Sequence, residues 1–203
     1  MVARSKTTSK INRKSSGSIR IIAGKYRGRK LPVLDAQGLR PTTDRVKETL
    51  FNWLMPYINE TNCLDCFAGS GGLGFEALSR GATKVVFLEL NKNAADQLKQ
   101  NVVLLKDLRA EVIQTNSIEF LKPNNANKQL FDLVFIDPPF RQQLLNPIVE
   151  NINHGWLAQN ALIYIECEAE LDVSVLPINL QLLKEKIAGQ VAYRLYQAAE
   201  MTF

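Results

Sequence analysis

The sequence predicts an α/β fold: a mostly parallel, seven-stranded sheet with helices on both faces, closed by a C-terminal antiparallel hairpin and preceded by a small basic β-hairpin. Three observations carry this. From residue 62 onward, strand-like and helix-like segments alternate, the rhythm of parallel strands joined by crossover helices. The strand cores VVFL, LVFI and LIYI are apolar throughout, as strands buried on both faces must be. Near the end, LQLLKEKIAGQVAYRLYQAA reads as two strands hinged at Ala188-Gly189 with no helix between them.

Taken in order, residues 1–18 are polar, rich in Ser and Lys and without periodicity, so a disordered basic tail is expected there. The tail lacks an apolar core and does not read as a secretory signal. SIRIIAG and RGRKLPV then flank GKYRG, where Gly24 and Gly28 permit a turn, and a hairpin is expected over 19–40. The main domain is expected over 41–203. It opens with LRPTTDRVKETLFNWLMPYI, in which Thr42, Thr43 and Asp44 are helix-capping types and Val46, Leu50, Phe51 and Leu54 recur at helical spacing before Pro56.

CLDCF (63–67) is a strand, LGFEALSRG (73–81) a helix and KVVFLEL (84–90) a strand. NKNAADQLKQNVVLLKDL is a helix with Ala95, Leu98, Val102 and Leu105 on one face. AEVIQTN is a strand, SIEFL a short helix, FDLVFID a strand, 142–152 a helix and ALIYIEC a strand. Trp53 is expected in the core, Trp156 over an edge of it and His154 in a turn.

The 203 residues suit one domain, and no apolar run approaches the ~20 residues of a membrane span, so a cytoplasmic protein is expected. Cys63 and Cys66 have the C-x-x-C spacing of redox and zinc sites. Side chains three apart on a strand point to opposite faces, however, and no second such pair exists. No metal site is expected.

Charge is segregated. Residues 1–34 hold ten Lys or Arg and no acid, whereas the rest holds 15 basic and 20 acidic residues. Such a segment is either a solubilising tail or a contact for polyphosphate. Arg20, Lys25, Tyr26, Arg27, Arg29 and Lys30 would decorate the hairpin, and cations interleaved with an aromatic suit RNA.

Two motifs carry chemistry. Gly69-Ser70-Gly71-Gly72-Leu73-Gly74 matches G-x-G-x-x-G between a strand and a helix, the context of a nucleotide-binding loop. Glu89 ends the next strand, placed for ribose hydroxyls. A dehydrogenase would share both features. Asp65 inside the first strand and the corner Asp137-Pro138-Pro139-Phe140 after the fourth argue against hydride transfer. The prolines make the corner rigid, since each fixes its own φ and restricts its predecessor.

Leu64-Asp65-Cys66-Phe67-Ala68-Gly69-Ser70-Gly71 resembles motif I of the class I S-adenosylmethionine methyltransferases, which have a Rossmann-like fold. Asp137-Pro138-Pro139-Phe140 resembles their amino-methylating motif IV. With IRIIAGKYRGRKLPV, LRPTTDRVKETLFNWL and KIAGQVAYRLYQ, the chain from about residue 18 resembles the RsmD family, which methylates guanine N2 at position 966 of 16S rRNA.

The resemblance implies S-adenosylmethionine as cofactor, with Asp65 and the backbone of Phe67, Ala68, Gly69, Ser70 and Gly71 around its methionine part. Gly74 and Leu90 would also belong to the cofactor site, Glu89 would hold the ribose, and Asn116 and Ser117 would face the adenine. Asn116 stands where many relatives have Asp and also suits a helix cap. Asp137, Pro138, Pro139 and Phe140 would be catalytic, with the Asp137 carboxylate and Pro138 carbonyl accepting from the amine and Phe140 stacking on an extruded base. Arg40, Thr42 and Asp44 would lie near the substrate mouth. The expected partner is 16S rRNA or the assembling 30S subunit, met by a monomer away from any membrane. The rival readings are another amino methyltransferase (DNA adenine N6 or protein glutamine N5), an NAD(P) oxidoreductase, and a non-catalytic RNA-binding module.

Overall fold

A computed structural model describes residues 17–34, 44–126, 128–173, 176 and 179–199. The tail expected to be disordered lies, but for its last two residues, outside these, as do Arg40 and Thr42.

The chain runs β1 (Ser18–Arg20), β2 (Lys30–Pro32), α1 (Asp44–Leu54), β3 (Asn62–Asp65), α2 (Gly72–Ser79), β4 (Lys84–Glu89) and α3 (Lys92–Leu105). It continues β5 (Ala110–Gln114), α4 (Ser117–Phe120), β6 (Phe131–Ile136), α5 (Leu145–Ile152), β7 (Leu157–Glu168), β8 (Leu180–Ala188) and β9 (Val191–Ala198). Seven strands form one sheet in the order β5-β4-β3-β6-β7-β9-β8, parallel from β5 to β7 and antiparallel across β9 and β8. This is the Rossmann-like architecture expected.

Each strand feeds two cores. Val85 and Phe87 of β4 face α1, α2 and α3, whereas Val86 and Leu88 face α4 and α5. The alternation follows from the two-residue repeat of a strand. Cys63 and Cys66 separate the same way, one into each core, as the strand argument requires. Trp156 is buried rather than at an edge, and its indole N–H donates to the Leu121 carbonyl at 2.9 Å.

β1 and β2 pair antiparallel, but the hairpin is no appendage. Ile19, Ile21, Tyr26, Leu31 and Val33 are buried in the core beneath α1, α2 and α3. Residues 21–29 form a compact loop docked on α2, where the Glu76 carboxylate accepts from the backbone N–H of Ile22 at 2.8 Å and Ala23 at 3.0 Å. At Gly24, φ is +79° and an added Cβ would sit 1.9 Å from the Ser79 carbonyl oxygen, so only glycine allows this approach. The strands are consequently three residues each, shorter than the apolar runs suggest, because the loop spends its backbone groups on α2.

The helix expected over 142–152 begins at Leu145. Arg141 and Gln143 adopt positive φ and make a turn instead. The five parallel strands end at one edge. Chain direction along the sheet reverses between β3 and β6, and the crevice outside that reversal is where such folds bind ligands.

Candidate active site

The glycine loop and the Asp-Pro-Pro-Phe corner meet because β3 and β6 are neighbours. Asp65 pairs with Phe135, and the Cys66 N–H donates to the Phe135 carbonyl at 3.0 Å. Loop and corner therefore leave the sheet side by side, although about seventy residues of chain separate them.

The loop is ordered by two acids. Asp65 is only 2% exposed, and its Oδ2 accepts from the Gly74 N–H at 3.1 Å. Its carboxyl thus stands behind the loop, holding the first turn of α2, and the loop backbone forms the open face. Burial, with help from the Asp137 and Glu89 charges, raises its pKa to about 7. Gly74 packs flat on β4, since a Cβ there would lie 2.2 Å from the Phe87 ring. Glu89 works from the other side, with Oε2 accepting from Gly69 N–H at 2.8 Å and Oε1 from Asn91 N–H at 2.7 Å. Leu90 beside it is 66% exposed.

Asn116 and Ser117 lie after β5 at the same edge. The Asn116 side-chain oxygen caps α4, accepting from Ile118 at 2.9 Å and Glu119 at 3.3 Å. Its side-chain NH2, a donor, is the part left to face a ligand. The Ser117 hydroxyl is buried and donates to the Cys66 carbonyl, tying α4 to the end of β3.

At the corner, Pro138 is buried while Pro139 and Phe140 are exposed, Phe140 by 38%. Sequence reasoning missed two neighbours on β7. Glu166 is 9% exposed and accepts from the Tyr164 hydroxyl at 3.1 Å. Burial and the Asp137 charge raise Glu166 to about 8, and burial with the Glu166 and Asp137 charges pushes the Tyr164 phenol well up. A signal existed: Glu166 is an acid at the end of an apolar parallel strand, as Asp65 and Asp137 are.

Arg20, Lys25, Arg27, Arg29 and Lys30 are exposed, forming a basic face on the docked hairpin. Tyr26 corrects the expectation. It is 4% exposed, its hydroxyl donates to Asp107 at 2.7 Å, and its ring lies under Lys25 and Arg29. A ring so covered cannot stack on a base. Asp44 opens α1, 3.2 Å from the Lys47 ammonium. Among the described residues no cluster of His, Cys, Asp and Glu could hold a metal, and no helix is long and apolar enough to cross a membrane.

A family model described as Conserved hypothetical protein 95 matches residues 19–197. The chain is 57% identical over 189 residues to Ribosomal RNA small subunit methyltransferase D of Haemophilus influenzae, covering 90% of this chain and 95% of that one. The protein of the same name from Escherichia coli is 52% identical over 189 residues, covering 93% and 94%. A solved Escherichia coli structure, provisionally described as a methyltransferase, superposes with a TM-score of 0.82 at 51% identity, over 91% of this chain and 100% of that one.

Proposed function

The chain belongs to the family of Conserved hypothetical protein 95, the RsmD methyltransferases, and on that premise we propose that it methylates the exocyclic N2 amine of a guanine in small-subunit 16S rRNA. Family membership supports methylation of small-subunit rRNA with S-adenosylmethionine. The amine and the base rest on the corner and on the resemblance, which points to guanine 966. We place the reaction in the cytoplasm, on the assembling 30S subunit or its rRNA, and assign it to a monomer.

The single observation that carries this reading is the pairing of β3 with β6, which sets a nucleotide-type loop beside Asp137-Pro138-Pro139-Phe140. When bound, S-adenosylmethionine supplies a methyl group on a cationic sulfonium. The edge suits such a group. Glu89 and Asp137 stand at that edge as acids, Glu89 is pre-set by two backbone N–H groups, and exposed Leu90 offers an apolar face to a nucleobase.

Guanine N2 is a weak nucleophile because its lone pair is conjugated with the ring. In the proposed mechanism, Asp137 and the Pro138 carbonyl accept from both N–H groups, which favours a pyramidal nitrogen and frees the lone pair. The two prolines hold these acceptors still, so no reorganisation is needed as charge develops. Phe140 covers the base. Most of the acceleration then comes from alignment rather than from a covalent intermediate. The proton released from N2 has Asp137 or water as its acceptor.

The test is to incubate the protein with radiolabelled S-adenosylmethionine and undermethylated 16S rRNA, free or in 30S subunits, then digest and identify the nucleoside. Label in N2-methylguanosine is expected. Label only in another nucleoside, or in none, overturns the assignment.

A further inference from the structure

A cleft of about 400 Å³ opens between α1 and the β8–β9 hairpin, within the size range of ligand pockets. Trp53 of α1 and Tyr164 and Tyr193 of the sheet line it, and Arg45 and Lys186 lie among its lining with exposed side chains. None of these residues belongs to the cofactor loop or to the corner.

The register connects this cleft to the corner. Phe135 pairs with Tyr164 and Ile136 with Ile165 across parallel β6 and β7. Continued by one residue, that register sets Asp137 opposite Glu166, on the sheet face shared by Phe135 and Tyr164. It is the α1 face, since the Phe135 ring lies 6.1 Å from that of Phe51 and 6.4 Å from that of Tyr164. The Tyr164 hydroxyl on the cleft floor donates to Glu166. The turn joining β8 to β9 stands at the same sheet edge, because β9 runs antiparallel to β7 and Val191 pairs with Glu168. An apolar cleft with cations at its mouth thus lies on the sheet face that carries Asp137, with the buried Tyr164 and its partner Glu166 between the two.

We propose that this cleft receives the guanine turned out of the rRNA, with the half-buried Trp53 as its stacking wall, the buried Tyr164 and Tyr193 beneath it as floor, and Arg45 and Lys186 on the flanking phosphates. The proposal rests on the reading of the protein as an rRNA guanine methyltransferase. Its chemistry is that of extruded bases generally: aromatic surface for the ring, hydrogen-bonding groups at one end for the polar edge, and cations outside for the backbone. Glu166 and Asp137 supply the polar end.

Thr49 tests it. This half-buried residue of α1 lines the cleft and accepts from Lys186 at 3.3 Å, while Cys63, Cys66 and Cys167 are all buried. In Thr49→Cys, a maleimide therefore reports on position 49. Undermethylated 16S rRNA, free or in subunits, should slow alkylation several-fold when S-adenosylhomocysteine is present, and S-adenosylhomocysteine alone should not. Protein plugged with a bulky maleimide should lose methyl transfer yet keep its cofactor-induced rise in melting temperature. Trp53→Ala should raise KM for RNA with cofactor affinity unchanged. Turnover by the plugged protein at the unplugged rate would overturn the cleft as the base site. Failure of the wild type to methylate any rRNA in the same assay would instead overturn the reading beneath it.

Discussion

The Tyr26 hydroxyl donates to Oδ2 of Asp107 at 2.7 Å, joining the N-terminal hairpin to the turn after α3 across 81 residues of chain. Asp107 is also held by the Arg109 guanidinium, whose remaining N–H groups donate to the carbonyls of Ala82 and Leu78. The hairpin that carries the basic face is therefore braced from within the catalytic core, and its cations are presented in a set position.

Tyr26→Phe removes one buried hydrogen bond to a charged group and should cost about 2 kcal/mol of stability. Denaturant unfolding measures this. RNA affinity well below the transition should stay at the wild-type value, and a specific loss of RNA binding in a fully stable variant would return Tyr26 to the contact surface.

Glu76→Ala should be more damaging. It strips acceptors from the N–H groups of Ile22 and Ala23 and leaves Arg80 without its buried partner. A loss of roughly 3 kcal/mol is expected from leaving buried polar groups unsatisfied. In protein still folded, KM for rRNA should rise while cofactor affinity holds, because the hairpin docks on α2 and not on the open face of the loop. Cofactor and RNA affinities falling together would show that hairpin and loop are not separable.

Replacing Arg20, Arg27 and Arg29 with Ala removes three exposed cations from the hairpin. If all three meet phosphates, the slope of log affinity against log salt should flatten by about two to three. A titration of binding against potassium chloride decides it, and an unchanged slope would leave the hairpin a structural role only.

Asp137→Ala should abolish methyl transfer while cofactor binding stays within a few-fold, since the loop is ordered by Asp65 and Glu89 rather than by the corner. Single-turnover assays beside calorimetric titration separate the two, and retained turnover would make the corner merely a strand terminator.

Stability should depend on pH through Asp65 and Glu166. Their folded values of about 7 and about 8 lie above those of the unfolded chain, so both keep protons in the fold that the unfolded chain has released. Their contribution is complete below pH ~4 and is lost as pH rises toward 7 and 8, at up to about 1.4 kcal/mol per pH unit for each group. Glu166→Gln, measured without ligand from pH 5 to 8, should lose less stability than the wild type over that range. Parallel curves would mean that Glu166 is ionised throughout.

The sequence by itself determined the parallel sheet, the glycine loop, the acid at the end of β4 and the rigid corner. Each is written in local pattern: apolar strands, glycines between a strand and a helix, prolines after an acid. Tertiary structure alone decided three other things. It put Tyr26 inside, because its partner Asp107 is distant in the chain and no local period encodes that meeting. It turned the Asp65 carboxyl behind the loop, where a Gly74 N–H was left to satisfy. It also brought Glu166 level with Asp137, since only the register of β6 against β7 sets which residues stand opposite. Local pattern specifies which strands form and which faces are apolar; the pairing of distant buried polar groups follows from how those faces pack.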